Sequence, residues 1–256
     1  MKKTIITSSL IITIAIVACE KKLSLPDRFT PNPSGNTNIK FLNMSPGAAS
    51  VNFFANSTKI SGTSPGGTIG TVVTGMAYPA LFPSTIGYAT IPSGSLKIDV
   101  KVPDSAAVNP GANVLTTTQS FDAGKFYTFV LLDTVTQAKA LVAVDDPAVA
   151  DQTKAYLRVA NFTADSAITI KVLKTSLDYA YSKTYTSVPE KTILPFDSLG
   201  AGTGQVYSIT FMRASNNAVL GTISNFAPSR TKKYTFYMRG FVKTTSSTGF
   251  GSYTNF

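Results

Sequence analysis

Two stretches of this chain, residues 37–146 and 152–256, alternate apolar and polar side chains one for one, and that period of two commits them to sheet. In Leu96, Lys97, Ile98, Asp99, Val100, Lys101, Val102 every apolar residue falls on one face and every charge on the other, as a half-buried antiparallel strand requires. A turn, Pro92, Ser93, Gly94, Ser95, precedes it. Tyr156 to Val159, Ala167 to Val172 and Tyr207 to Met212 follow the same rule, with clusters of Gly, Pro, Asn and Ser between them. Charged residues are only 14% of the chain while Thr, Ser, Gly, Val and Phe recur, a composition of strands and turns rather than helices. The fold class expected is all-β, built as antiparallel sandwiches with very little helix.

The pattern also repeats. Val114, Leu115, Thr117 and Phe121 have counterparts at the same spacing in Val219, Leu220, Thr222 and Phe226. Each set is followed by an aromatic strand, Phe126, Tyr127, Thr128, Phe129 in one case and Lys233, Tyr234, Thr235, Phe236 in the other. The opening strands correspond as well, Phe41 to Ser45 against Val159 to Thr163. Three matches in one order point to a duplicated domain. Asp145, Asp146, Pro147 and Asp151 interrupt the strand-like runs between the copies, which places the first sandwich at 37–146 and the second at 152–256.

Ahead of them, Lys2 and Lys3 precede an apolar run of 13 residues, Ile5 to Val17, too short for the ~20 residues of a bilayer span and suited to a signal peptide. The run ends in Ile16, Val17, Ala18, Cys19. This resembles the lipobox of bacterial lipoproteins, in which cleavage before the cysteine is followed by acylation. The resemblance implies a signal peptide at 1–18, lipidation of Cys19, a tether at 19–36 rich in Pro and Asn, and membrane attachment through several acyl chains. The location expected is the cell envelope, at the outer membrane, facing periplasm or surface. Cys19 is the one cysteine of the chain, so no disulfide staples either sandwich.

Losing Lys2 and Lys3 leaves 21 basic against 13 acidic side chains, a balance of +8. Export turns that charge away from nucleic acid and toward anionic lipid, lipopolysaccharide or acidic glycans, and an evenly solvated basic surface accounts for it at least as well. The densest group, Arg230, Lys232, Lys233, Arg239 and Lys243, need not share a face, because strand residues alternate. The chain has no His, which removes Ser/His/Asp and Cys/His catalysis and the usual zinc ligands. A pair of carboxylates remains as a route to glycoside hydrolysis, but Glu is confined to Glu20 and Glu190, and the Asp residues sit near turns. Gly200, Gly202 and Gly204 lack the Lys and Ser/Thr of a phosphate cradle and read as a hairpin loop. No enzyme activity and no cofactor is expected.

The opening Asn38 to Phe53, with Pro46 and Gly47 in its turn, and the ending Phe121, Asp122, Ala123, Gly124, Lys125, Phe126, Tyr127 to Val130 are similar to the family catalogued as domain of unknown function 4397. That family occurs in exported proteins, often as tandem copies in lipoproteins of Bacteroidetes-type bacteria. The resemblance spans 37–145 and, more weakly, 154–243, where Thr163 and Ala164 replace the Ser and Pro and where Pro228, Ser229, Arg230 replace the Ala, Gly, Lys turn. It implies a sandwich of immunoglobulin-like or prealbumin-like character and no catalytic residues.

Two groups stand as candidate sites. Tyr179, Tyr181 and Tyr185 are spaced to share one strand face; they would stack on sugar rings or a partner protein, or else cover the core, which is the commoner use of tyrosine. Asp145, Asp146 and Asp151 offer oxygen ligands for an interdomain Ca²⁺, though their spacing matches no standard loop and a solvated acidic hinge is the favoured account of them. The function expected is a non-catalytic binding or adhesion module for a glycan, peptide or envelope partner. The alternative is a structural subunit that adds strands to another chain, including its aromatic tail Phe250, Tyr253, Phe256.

Overall fold

The computed structural model describes residues 35–47, 50–61, 75–84, 86–176, 181–244 and 248–256, all within one compact unit, Pro31–Phe256. Cys19, the leader and Tyr179 lie outside the described residues. In chain order the first ten strands are β1 (Asn36–Asn43), β2 (Ser50–Ala55), β3 (Thr58–Lys59), β4 (Met76–Ala77), β5 (Ala80–Phe82), β6 (Ala89–Pro92), β7 (Gly94–Lys101), β8 (Asn113–Phe121), β9 (Phe126–Leu132) and β10 (Lys139–Val144). Nine more follow: β11 (Lys154–Thr163), β12 (Ile168–Lys174), β13 (Ser182–Val188), β14 (Thr192–Ile193), β15 (Asp197–Gly200), β16 (Tyr207–Arg213), β17 (Val219–Phe226), β18 (Lys233–Gly240) and β19 (Gly249–Thr254). Between β9 and β10 lies a short 3₁₀ turn, Val135–Gln137.

The strands make four sheets, two from each half. In the first half an inner sheet runs β10-β9-β1 with β5 and β6 both on β1, and an outer sheet runs β3-β2-β7-β8 with β4 on β2. The second half repeats this order as β19-β18-β11 with β14 and β15 on β11, and β13-β12-β16-β17. In both, the opening strand pairs in parallel with the penultimate one, Phe41 against Phe129 and Val159 against Phe236, while the other pairings are antiparallel. The three matched segments of sequence therefore fall on topologically equivalent strands.

Each half closes on its own core. Ile39, Phe41, Phe53, Ile98, Val100, Phe129 and Leu131 lie between the first two sheets, and the rings of Phe41, Phe53 and Phe129 meet at 4.8 to 5.9 Å in tilted and edge-on arrangements. Leu157, Val159, Ile168, Ile170, Ile209, Phe211, Phe236 and Met238 do the same in the second half. Gly47 and Gly124 sit at φ +85° and +72° in the turns after β1 and before β9, a region that favours glycine. In each half a tyrosine entering the penultimate strand accepts a backbone N–H from five residues upstream, Tyr127 from Asp122 at 3.0 Å and Tyr234 from Ser229 at 3.1 Å. This tyrosine corner is a hallmark of immunoglobulin-like sandwiches.

One expectation is corrected. The strand Tyr156 to Val159 is not half solvated, because Arg158 is 2% exposed. Every residue of β9, and all of β11 after Lys154, is buried. The reason is a third core, in which Leu42, Met44, Val130 and Leu132 from one inner sheet meet Ala160, Phe162, Tyr237 and Tyr253 from the other. Inner strands thus carry apolar side chains on both faces, one set toward their own outer sheet and one toward the other half.

Candidate functional site

The third core ends in a buried polar cluster that begins where the apolar inner-face positions give way to Lys40, Thr128, Arg158 and Thr235. Register makes these counterparts, since Lys40 lies opposite Thr128 on β1 and β9, and Arg158 opposite Thr235 on β11 and β18. Asp145, just beyond β10, inserts between them. One carboxylate oxygen meets the Arg158 guanidinium at 2.7 Å; the other accepts hydrogen bonds from the Tyr88 and Thr128 hydroxyls at 2.7 and 2.5 Å. Arg158 also donates through Nε to the Thr235 hydroxyl at 2.8 Å, which in turn donates to Asn255 at 2.6 Å. Asn255 stands where Asp145 stands in the other half, each following its last strand with its N–H on the carbonyl of Lys233 or Phe126. Further contacts between the halves are the ion pair of Lys191 with Asp133 at 3.2 Å and the hydrogen bond from Arg239 to the Tyr78 hydroxyl at 2.8 Å.

Burial governs the electrostatics here. It opposes the charge on Arg158, but Asp145, with Tyr253 and Tyr88, outweighs it and holds the guanidinium above its ordinary pKa. Burial lowers Lys40 to about 8, against an upward pull from Asp145. It raises the Tyr88 hydroxyl well above the ordinary range, and the Asp145 charge adds to the rise. Lys233 is depressed by burial and by Arg158, with Asp146 and Asp145 opposing.

Beside the cluster an open cleft of about 630 Å³ lies between β10 with the segment after it and the β14–β15 connection. Val142, Ile193, Leu194, Pro195 and Phe196 form apolar walls, and Arg158 and Lys233 form the floor. The Lys233 ammonium donates to the Asp146 carbonyl at 2.6 Å and lies 5.1 and 5.0 Å from the Tyr156 and Phe196 ring centres. Arg158 covers Phe196 at 4.5 Å.

A second groove, about 570 Å³, opens at one end of the second sandwich and is lined by Lys154, Lys174, Arg230, Ser198, Gln205, Tyr181 and Tyr207 among others. Gly202, at φ +110°, lies against the Arg230 guanidinium, which a β-carbon there would meet at 3.2 Å. A β-carbon at Gly200 would collide with the Tyr207 hydroxyl and the Gln205 amide oxygen, at 2.8 and 2.9 Å. The glycines of this loop therefore make room for the polar lining.

The tyrosine candidates separate. Tyr185 is a core residue whose hydroxyl donates to Asp197 at 2.7 Å, and burial with that carboxylate raises its pKa; its ring is not free to stack on a ligand. Tyr181 is half-buried on the groove wall, edge-on to Tyr207 at 6.0 Å. Tyr179 lies outside the described residues. The acidic group separates too. Asp145 is 1% exposed and bound to Arg158, so it is no solvated hinge. Asp146 caps Ala148 N at 2.9 Å, and Asp151 holds Thr153 through its backbone and hydroxyl at 2.8 and 2.7 Å. Among the described residues no group of three or more His, Cys, Asp or Glu side chains is placed to hold a metal. The basic set also divides, with Arg230 exposed at the end groove, Lys233 buried in the cleft floor and Arg239 turned to Tyr78.

Sequence reasoning missed Lys40, Arg158 and Phe196. The available signal was a basic residue at the same place in two matched opening strands, Lys40 before Phe41 and Arg158 before Val159.

No curated protein matches the chain. Among solved structures, a family 26 carbohydrate-binding module from Eubacterium rectale Amy13K, in complex with maltoheptaose, aligns at 13% identity over 84% of this chain and 96% of that one, with a TM-score of 0.21. A score that low supports no inference about fold or ligand. The family model described as Domain of unknown function (DUF4397) matches residues 37–172, which take in the first sandwich from Thr37 onward and, in the second, β11 and most of β12. With more than half of its length matched, and with the topology of the first sandwich recurring in the second, the chain belongs to the DUF4397 family.

Proposed function

We propose that this chain is a non-catalytic envelope lipoprotein, anchored at Cys19 to the outer membrane, which binds a glycan through the groove at the end of its second sandwich. The single observation that carries the reading is the lining of that groove: a half-buried tyrosine ring beside Lys154, Lys174, Arg230, Ser198 and Gln205. Such a wall supplies a face for a sugar ring and several donors and acceptors for its hydroxyls. The absence of His from the chain supports a binding role over chemistry. On this reading the second half is a second copy of the family domain, one whose loops have been elaborated into a site. A carbohydrate array probed with the full chain in detergent tests it. Retention on an envelope or host glycan, lost in Tyr181→Ala, supports the proposal; silence across the array overturns it.

Strand addition through the aromatic tail finds less support. The segment Gly249–Thr254 is already paired with β18 along its length, and Phe256 is stacked on Tyr88 at 5.1 Å.

A further inference from the structure

The two halves share one topology, so each lined position near the junction has a counterpart, and the comparison shows where they depart. In the first half three rings close the edge of the shared core. Phe256 stacks on Tyr88 at 5.1 Å and meets Phe126 edge-on at 5.2 Å, and Tyr88 meets Phe126 edge-on at 5.2 Å. Register gives the counterparts. Phe126 lies opposite Asn38 as Lys233 lies opposite Tyr156. Tyr88 precedes Ala89, the partner of Ile39, as Phe196 precedes Asp197, the partner of Leu157. Phe256 follows Asn255 as Asp146 follows Asp145. In the second half, then, a ring remains in Phe196, a cation replaces Phe126, and the exposed Asp146 replaces the buried Phe256. Where the first half seats its third ring, the second half has the open cleft of about 630 Å³.

Charge gives the second argument. Arg158 and Lys233 are 2 and 3% exposed, against one equally buried carboxylate beside them, Asp145. That carboxylate is spent on Arg158, Tyr88 and Thr128. A surplus of positive charge away from water is unfavourable, and an anion entering beside Lys233 offsets it. The Asp146 carboxylate on the rim penalises multiply charged anions more than singly charged ones.

We propose that the junction cleft binds a small monocarboxylate with a flat apolar body, the body stacked on Phe196 between Ile193, Leu194 and Val142 and the carboxylate at the Lys233 ammonium. The site is separate from the end groove, and either can fail alone.

The test uses the full chain in detergent and titration calorimetry, with phenylacetate, its amide and inorganic phosphate as probes. Phenylacetate should bind about tenfold or more tighter than phenylacetamide, with phosphate silent. Phe196→Ala should weaken the acid about tenfold, and Asp146→Asn, which keeps an acceptor for Ala148 N, should strengthen it by about threefold. Lys233→Met should abolish the preference of acid over amide. Because Lys233 is buried and its replacement endangers folding, Asp146→Asn carries the charge test by itself. Equal binding of acid and amide, an unchanged or weakened affinity in Asp146→Asn, preferential binding of phosphate, or no phenylacetate binding up to about 10 mM each overturns the proposal.

Discussion

A lysine with no exposed surface in the middle of a sheet face is expensive to keep charged, and Lys40 is such a residue. Its ammonium reaches the Pro83 carbonyl at 3.3 Å and lies 5.3 Å from the Tyr88 ring, and burial brings its pKa from 10.5 to about 8. The unfolded chain therefore binds a proton at this site that the native state has released, for any pH between these two values. Stability should rise with pH through that window, by at most a few kcal/mol. Lys233, also depressed, acts in the same direction, whereas Tyr88, Tyr185 and Tyr237, all raised by burial, begin to oppose it above about pH 10. Denaturant titrations between about pH 7.5 and 9.5 should show the rise in the native chain, and Lys40→Met should be more stable at pH 7.5 and show a smaller slope. A native stability that is flat or falls across that interval contradicts this account of the cluster.

At the scale of single strands the sequence was legible wherever one face met water. Leu96, Ile98 and Val100 are buried and Lys97 is exposed, as alternation requires, but Asp99 on the outer face is covered too, held by the Thr116 hydroxyl at 2.6 Å and the Lys97 ammonium at 3.2 Å. The recurrence of one strand order in both halves was legible for the same reason, because Phe121 and Phe226, or Tyr127 and Tyr234, stand at equivalent strand positions. Alternation failed in β9 and β11, where both faces are covered and a continuous apolar run carries no phase. Tyr127 and Tyr234 stood in the sequence as members of aromatic strands, and their rings lie in and against the cores, but the pattern held no sign of the hydroxyl's work. Each closes the connection into its strand by accepting one backbone N–H. Tyr127→Phe and Tyr234→Phe keep the ring and lose that acceptor, so each should cost about 1 kcal/mol in chemical denaturation, while Tyr127→Leu, losing packing as well, should cost about 2 or more. A phenylalanine variant as stable as the native chain would show that the corner is incidental.

For the molecule as a whole the decisive fact was invisible in the sequence, because it depends on residues far apart in the chain. The acidic segment between the halves looked like a hinge, yet Asp145 is the residue that fastens them, through Arg158 on the opposite sheet. Flanking it, Leu42, Met44, Val130 and Leu132 have buried faces that pack against Ala160, Phe162, Tyr237 and Tyr253 of the second half. Two sandwiches joined by a solvated hinge would melt separately, each with its own midpoint. Two sandwiches sharing a core of this kind should melt together, since unfolding either strips the cover from the other's inner sheet. Calorimetry of the full chain should accordingly show one transition. Asp145→Ala leaves the guanidinium buried without its partner, an error that costs about 3 to 5 kcal/mol, and it should lower that single midpoint rather than split it at first. Replacing both members together, as Asp145→Ala with Arg158→Met, should recover much of the loss, because no charge is then stranded in the junction. Two resolved transitions in the native chain, or an Asp145→Ala midpoint within error of the native one, would mean that the halves are merely neighbours.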